Sequence, residues 1–202
     1  MSSILNADLH CHSVVSDGTL TPQALAARAA ANGVELWSLT DHDELGGQQE
    51  AAAAAQACGM RYVCGVEISV TFLNQTVHIL GLGVDPQNPA LLAGLAATRG
   101  GRSLRAQAMA DDLARVGIPG VLEGALKYVG NPDLISRSHF ARYLVEAGIC
   151  PDTHAVFRKY LAEGKPGYVP HRWATLRDAL EWITGARGVA GIAHPARYKF
   201  SA

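Results

Sequence analysis

The residues able to do chemistry in this sequence are histidines and carboxylates, and their positions suggest what that chemistry is. His10 and His12 stand two apart in the run Asp8-Leu9-His10-Cys11-His12. On an extended chain that spacing sends both imidazoles to one face and Cys11 to the other. Two neutral ring nitrogens can then converge on one cation, and Asp8, on the same face, can orient a ligand from behind. Asp17 follows in Ser16-Asp17-Gly18, a turn that exposes its carboxylate. Asp41-His42-Asp43, Glu67, His78 and His194 come later, each within or at the end of a β-like run. Any one of them alone is explained as a turn former, a helix cap or a solvated surface group. Successive strands that all deliver histidine or acid to one end point instead to a single metal-binding pocket.

The donor types narrow the metal. Imidazole mixed with carboxylate suits Mn²⁺, Fe²⁺ or Zn²⁺ better than Ca²⁺ or Mg²⁺ alone, and no cysteine is among the donors. More than four donors imply more than one divalent ion, with Glu67 placed to bridge them. Ions roughly 3.5–4 Å apart can steady both the attacking and the leaving oxygens of a phosphoryl displacement.

Short β-like runs alternate with helical ones, which predicts an α/β fold with parallel strands. Strands are expected over residues 7–12, 34–40, 61–66, 77–83 and 189–193. Thr21-Pro22 opens a helix that stops at Gly33, and residues 48–58 form another, closed by Gly59. From about residue 89 to 130 the chain reads mostly as helix, followed by shorter helices over 138–147 and 153–161. This predicts a helical insertion, residues 99–177, within a metal-dependent domain formed by 1–98 and 178–202. An amphipathic helix is expected over 175–186.

With 202 residues, 49% apolar and 17% charged, the composition is that of a globular domain large enough to bury a core. The longest apolar stretch, residues 90–97, is too short to span a bilayer. No cationic, apolar leader opens the chain, and Cys11, Cys58, Cys64 and Cys150 form no CxxC pair. These features predict a cytoplasmic protein with reduced thiols and no membrane partner. Charge is uneven: residues 99–177 hold 12 Lys/Arg against 7 Asp/Glu, and the rest hold 5 against 11. An acidic part that can hold cations, joined to a basic part that can hold phosphate, suits a phosphorylated substrate.

In order along the chain, Asp8-Leu9-His10-Cys11-His12, Ser16-Asp17-Gly18, Thr40-Asp41-His42-Asp43, Gly65-Val66-Glu67, Val77-His78-Ile79-Leu80-Gly81 and Ala193-His194-Pro195 resemble the motifs of the PHP (polymerase and histidinol phosphatase) superfamily. The resemblance implies a distorted (β/α)7 barrel with a two- or three-metal centre. Its ligands here would be His10, His12, Asp17, His42, Glu67, His78 and His194, with Asp17, His42, Glu67 and His194 nearest the chemistry and manganese the first choice of metal. The family pattern continues with an Asp-x-His motif beyond Ala202, so the barrel is expected to lack its last strands, and metal loading to be weakened with them.

Asn131-Pro132, residues 135–142 and Gly164-Lys165-Pro166-Gly167-Tyr168-Val169 resemble the 3′,5′-nucleotide bisphosphate phosphatase group, whose relatives include an exoribonuclease acting on short RNA from the 5′ end. Arg102 and Arg105, three apart, can share a helix face and grip phosphate. Arg137 and His139 are the next candidates, and Asn131 follows. The expected activity is hydrolysis of phosphate from a nucleotide, with His139 and Asp43 as candidates for the general acid. The alternatives are a histidinol-phosphate or other small phosphomonoester phosphatase, a metal-binding module without activity, and an amidohydrolase-like site. No groove-reading motif accompanies the near-neutral net charge of −1, so duplex DNA is not an expected partner.

Overall fold

The computed structural model describes residues 5–198. The first four and last four residues, on which the expectations about a leader and about the chain's end partly fall, lie outside the described residues. Two compact units emerge, residues 5–98 with 172–198, and Arg99–His171.

In the first unit, helix α1 (Pro22–Ala31) starts where expected. The Thr21 hydroxyl accepts the Ala24 N–H at 3.2 Å, and Pro22 fills a position where no amide partner is needed. Three short strands, β1 (Ala7–Asp8), β2 (Leu36–Trp37) and β3 (Arg61–Tyr62), pair in parallel. Helix α2 (Gln48–Ala57) packs with α1 over this sheet, burying Ala26, Ala51 and Ala55 with Trp37 and Leu39. The first and second strands are shorter than expected, so His10 and His12 lie just past β1. The chain there stays extended along the continuation of β2, with the Thr40 N–H donating to the Cys11 carbonyl at 3.0 Å.

The second sheet corrects the parallel expectation. Strands β4 (Gly65–Phe72) and β5 (Gln75–Leu82) form an antiparallel hairpin in register from Gly65↔Leu82 to Phe72↔Gln75. Leu73 and Asn74 join them with φ of 47° and 59°, the paired positive values of a tight two-residue turn. Parallel neighbours would need a crossover of a dozen or more residues, which two residues cannot supply. Glu67, expected at the end of one strand, and His78, expected within another, therefore sit inside neighbouring antiparallel strands. Strand β6 (Ala174–Thr175) adds to β4 in parallel, and β7 (Val189–Ile192) adds to β5 antiparallel, giving the order β6-β4-β5-β7.

Helices α3 (Pro89–Arg99) and α8 (Leu176–Gly185) cover this sheet. Leu91, Leu95, Ala179 and Ile183 share a core with Val66, Ile68, Val70 and Ile79. Thr175 and Asp178 form a reciprocal capping box that fixes the start of α8. The second unit has its own core. Helices α4 (Arg102–Arg115), α5 (Val121–Leu126), α6 (Arg137–Glu146) and α7 (Thr153–Val156) bury Met109, Leu113, Phe140, Leu144 and Val156 together. Among the described residues no helix is long and apolar enough to cross a membrane.

Gly94 of α3 lies so close to the Trp182 indole that any Cβ there would overlap the ring. Gly94→Ala should therefore destabilise the first unit by about 1–3 kcal/mol, the usual cost of overpacking a filled core. A lowered thermal midpoint checks this, and an unchanged one refutes the tight contact.

Candidate metal centre

Glu67 is the hub of the site. Strand β4 is buried along most of its length, so the Glu67 carboxylate is delivered to the interior with no exposure to solvent. Its Oε1 lies 3.2 Å from His10 Nε2, from His78 Nδ1 and from His194 Nε2. Its Oε2 lies 3.0 Å from His12 Nε2 and 3.2 Å from His42 Nδ1. Asp17 reaches the same place from the turn after His12, with Oδ1 4.0 Å from His42 Nε2. All seven residues expected as ligands thus meet in one pocket. Two donor groups within it are compact enough to hold an ion each: His10, Glu67 and His194, and His12, His42 and Glu67.

The His42–Glu67 contact fits a cation better than a hydrogen bond. His42 Nδ1 and Glu67 Oε2 are buried and close, yet neither has a hydrogen-bond partner of acceptable alignment among the described residues. Nitrogen lone pair and carboxylate oxygen at that distance repel unless a positive charge lies between them. Burial pushes the His42 imidazole down to about 4, against the pull of Asp17 and Glu67, which keeps it neutral and able to ligate. Burial also opposes a proton on His12, but the Glu67 carboxylate outweighs it and raises that histidine. Glu67 itself would be raised by burial; the surrounding His10, His12 and His78 hold it far below the usual carboxylate range. Cys11, between the two histidines, points away, with Sγ 3.4 Å from the Ser38 carbonyl, and burial pushes its thiol up to about 12.

His194 arrives by an unusual backbone. It follows β7 with φ 34°, in the left-handed region, immediately before Pro195. A non-glycine residue persists there only where its surroundings fix it, and such strain gathers at functional sites. Nearby, the Tyr198 hydroxyl accepts the His78 N–H at 2.9 Å.

Most of the supporting contacts were not foreseen. Asp8 was expected to steady a ligand, but it accepts from the His10 backbone N–H at 3.4 Å. Asp43, a candidate general acid, is fully buried, and its carboxylate accepts from the Ser69 N–H and hydroxyl. Asp41 and Ser16 were read only as parts of their motifs, and Ser13 and Gln48 were given no role. Gln48 donates to the Leu39 and Gly65 carbonyls at 2.9 and 2.8 Å and accepts the Gly65 N–H at 3.2 Å, linking β4 to the end of β2. The signal available was two acids following an apolar run, since a carboxylate buried there must find donors.

The candidate phosphate residues belong to the second unit. Arg102 is buried, and Arg105 and Arg137 are half-buried. Arg105 Nε donates to the Val169 carbonyl at 3.0 Å, and Arg137 Nη1 donates to the Leu161 carbonyl at 3.3 Å. Burial, then the neighbouring Arg137 and Arg102, push Arg105 down to about 10. His139 is fully buried at the start of α6, where its Nδ1 accepts the Ser136 N–H at 3.0 Å. Asn131 caps a short 3₁₀ turn, accepting from Asp133 N–H at 3.0 Å.

A family profile described as PHP domain matches residues 8–184. The chain is 55% identical over 193 residues to the 3′,5′-nucleoside bisphosphate phosphatase of Chromobacterium violaceum, covering 96% of this chain and 68% of that protein. It is 42% identical over 197 residues to the 5′-3′ exoribonuclease Rnm of Escherichia coli, covering 96% and 67%. A crystal structure from Bifidobacterium adolescentis, assigned as a metal-dependent phosphoesterase, superposes with a TM-score of 0.90 at 30% identity, covering 98% of this chain and 72% of the other. With a family profile spanning most of its length and relatives at these identities, the chain belongs to the PHP domain family and is a hydrolase of phosphate esters.

Proposed function

We propose that the chain removes a phosphate from nucleotides, preferring a 3′,5′-nucleoside bisphosphate. It would use two or three divalent ions, manganese foremost, with iron or zinc as alternatives. The observation that carries this reading is Glu67, a fully buried carboxylate with each oxygen facing a separate set of imidazole nitrogens. His10, His78 and His194 would hold an ion on the Oε1 side. His12, His42 and Asp17 would hold one on the Oε2 side, with Glu67 shared. Such ions, when bound, supply Lewis-acid stabilisation of the charge that develops on phosphoryl oxygens. The side chains' own task is to stay deprotonated and fixed. Burial does this for His42, and the strained backbone before Pro195 aims His194. Arg102, Arg105 and Arg137, together with Asn131 and His139, are the candidates to hold a phosphate group of the substrate. The two sheets are read as part of the family's distorted (β/α)7 barrel, and the cytoplasm as its compartment.

Kinship to a protein named for bisphosphate hydrolysis favours this substrate, and kinship to an exoribonuclease favours short RNA degraded from its 5′ end as a second one. Inorganic phosphate released from adenosine 3′,5′-bisphosphate in Mn²⁺ measures the first directly. Clear turnover there, above that of histidinol phosphate, is the expected result. Turnover of histidinol phosphate alone would reject the bisphosphate preference.

Glu67→Gln removes the shared charge with little change in shape. It should cost about 4 kcal/mol of transition-state stabilisation, a rate loss of about 10³. Bound Mn²⁺, measured by elemental analysis, should fall with it. Full metal content in the variant would contradict the sharing of Glu67.

A further inference from the structure

We propose that Asp41 and Asp43 are positioning residues that set the ligand geometry from either side of His42, Asp41 for one half of the metal centre and Asp43 for both. This rests on the metal-centre reading above. Both carboxylates are almost wholly buried, at 1% and 0% exposure, so each must be satisfied by protein donors. Asp41 Oδ1 accepts the Ser13 N–H at 2.7 Å and the Ser16 hydroxyl at 2.6 Å, and its Oδ2 accepts the Ser13 hydroxyl at 2.6 Å. All three donors lie on the four residues that separate His12 from Asp17. One side chain therefore fixes the segment whose two ends carry ligands for the Oε2 side.

Asp43 reaches the other way. It accepts the Ser69 N–H at 2.8 Å and the Ser69 hydroxyl at 3.0 Å. Ser69 is two residues beyond Glu67 on β4, hence on the same face of the strand. The backbone closes the clamp: the Glu67 N–H donates to the Asp41 carbonyl at 3.1 Å, and the Asp43 N–H donates to the Glu67 carbonyl at 2.9 Å. His42 is thus pinned opposite Glu67 by both its neighbours. Asp43 holds a left-handed φ of 51°, which aims the two acids in different directions from adjacent positions. Because Glu67 serves both ions, a change at Asp43 acts on both sides, whereas a change at Asp41 acts on the side of His12, Asp17 and His42.

Calorimetric titration of Mn²⁺ alone into the metal-stripped 202-residue chain tests this, with thermal melts run in parallel. Wild type should show two classes of site. Asp41→Ala should weaken one class by about 10–100-fold, the usual effect of losing a residue that orients a ligand, and leave the other unchanged; Asp43→Ala should weaken both. Asp41→Asn keeps acceptors for the Ser13 N–H and the Ser16 hydroxyl and should restore most of the affinity. Should Asp41→Ala fail to fold, Ser16→Ala removes one bond only and should weaken the same class to a smaller degree. Equal loss at both classes in Asp41→Ala, or unchanged binding in it or in a folded Ser16→Ala, overturns the inference. A wild-type chain that binds no Mn²⁺ overturns the metal reading itself, and this inference with it.

Discussion

The structure depends on one carboxylate that cannot be solvated. Glu67 has no contact with water, and five imidazoles surround it at 3.0–3.2 Å. An isolated buried carboxylate is among the most costly groups a fold can contain. Its neighbours must supply positive charge, as protons or as cations. Burial keeps His42 neutral and lowers His194 against the pull of Glu67, whereas Glu67 raises His12, so protons answer only part of the charge. Divalent cations satisfy the carboxylate and the nitrogen lone pairs together.

The antiparallel hairpin makes the convergence possible. Strands β4 and β5 pair Ser69 with His78 and Glu67 with Leu80, so the Glu67 and His78 side chains stand one step apart diagonally, close enough for the 3.2 Å contact. Strand β7 then pairs with β5 on its other edge, which brings His194 to the same end. The short parallel sheet delivers His10, His12 and His42 from the opposite flank, and the Glu67 N–H bonded to the Asp41 carbonyl joins the two. Neither sheet alone carries a full donor set.

The donor residues were legible in the sequence because metal chemistry restricts residue type, and HxH or a lone acid after an apolar run stands out against its surroundings. The helices were legible too: Thr21-Pro22 and Gly33 punctuate α1, and the amphipathic pattern over 175–186 marks α8. The hairpin was not. Its turn is Leu73-Asn74, without the glycine that normally signals paired positive φ values, so β4 read as a strand ending near Glu67. The serines that hold Asp41 and Asp43 were also hidden. Ser13, Ser16 and Ser69 have no periodicity, and their meaning comes only from a buried acid 25 to 28 positions away.

The choice of donors also bears on what the pocket attracts. Of the seven residues gathered there, five are histidines and two are acids, Asp17 and Glu67. Neutral imidazoles bind a cation without cancelling its charge, whereas a site built from carboxylates would neutralise it. Two divalent ions held by this set would leave the pocket with a net positive charge in a region of low dielectric, where such charge acts strongly. A phosphate ester is the complement of that field, while a neutral amide or a cationic amine is not. The histidine-rich composition thus serves selection as well as coordination.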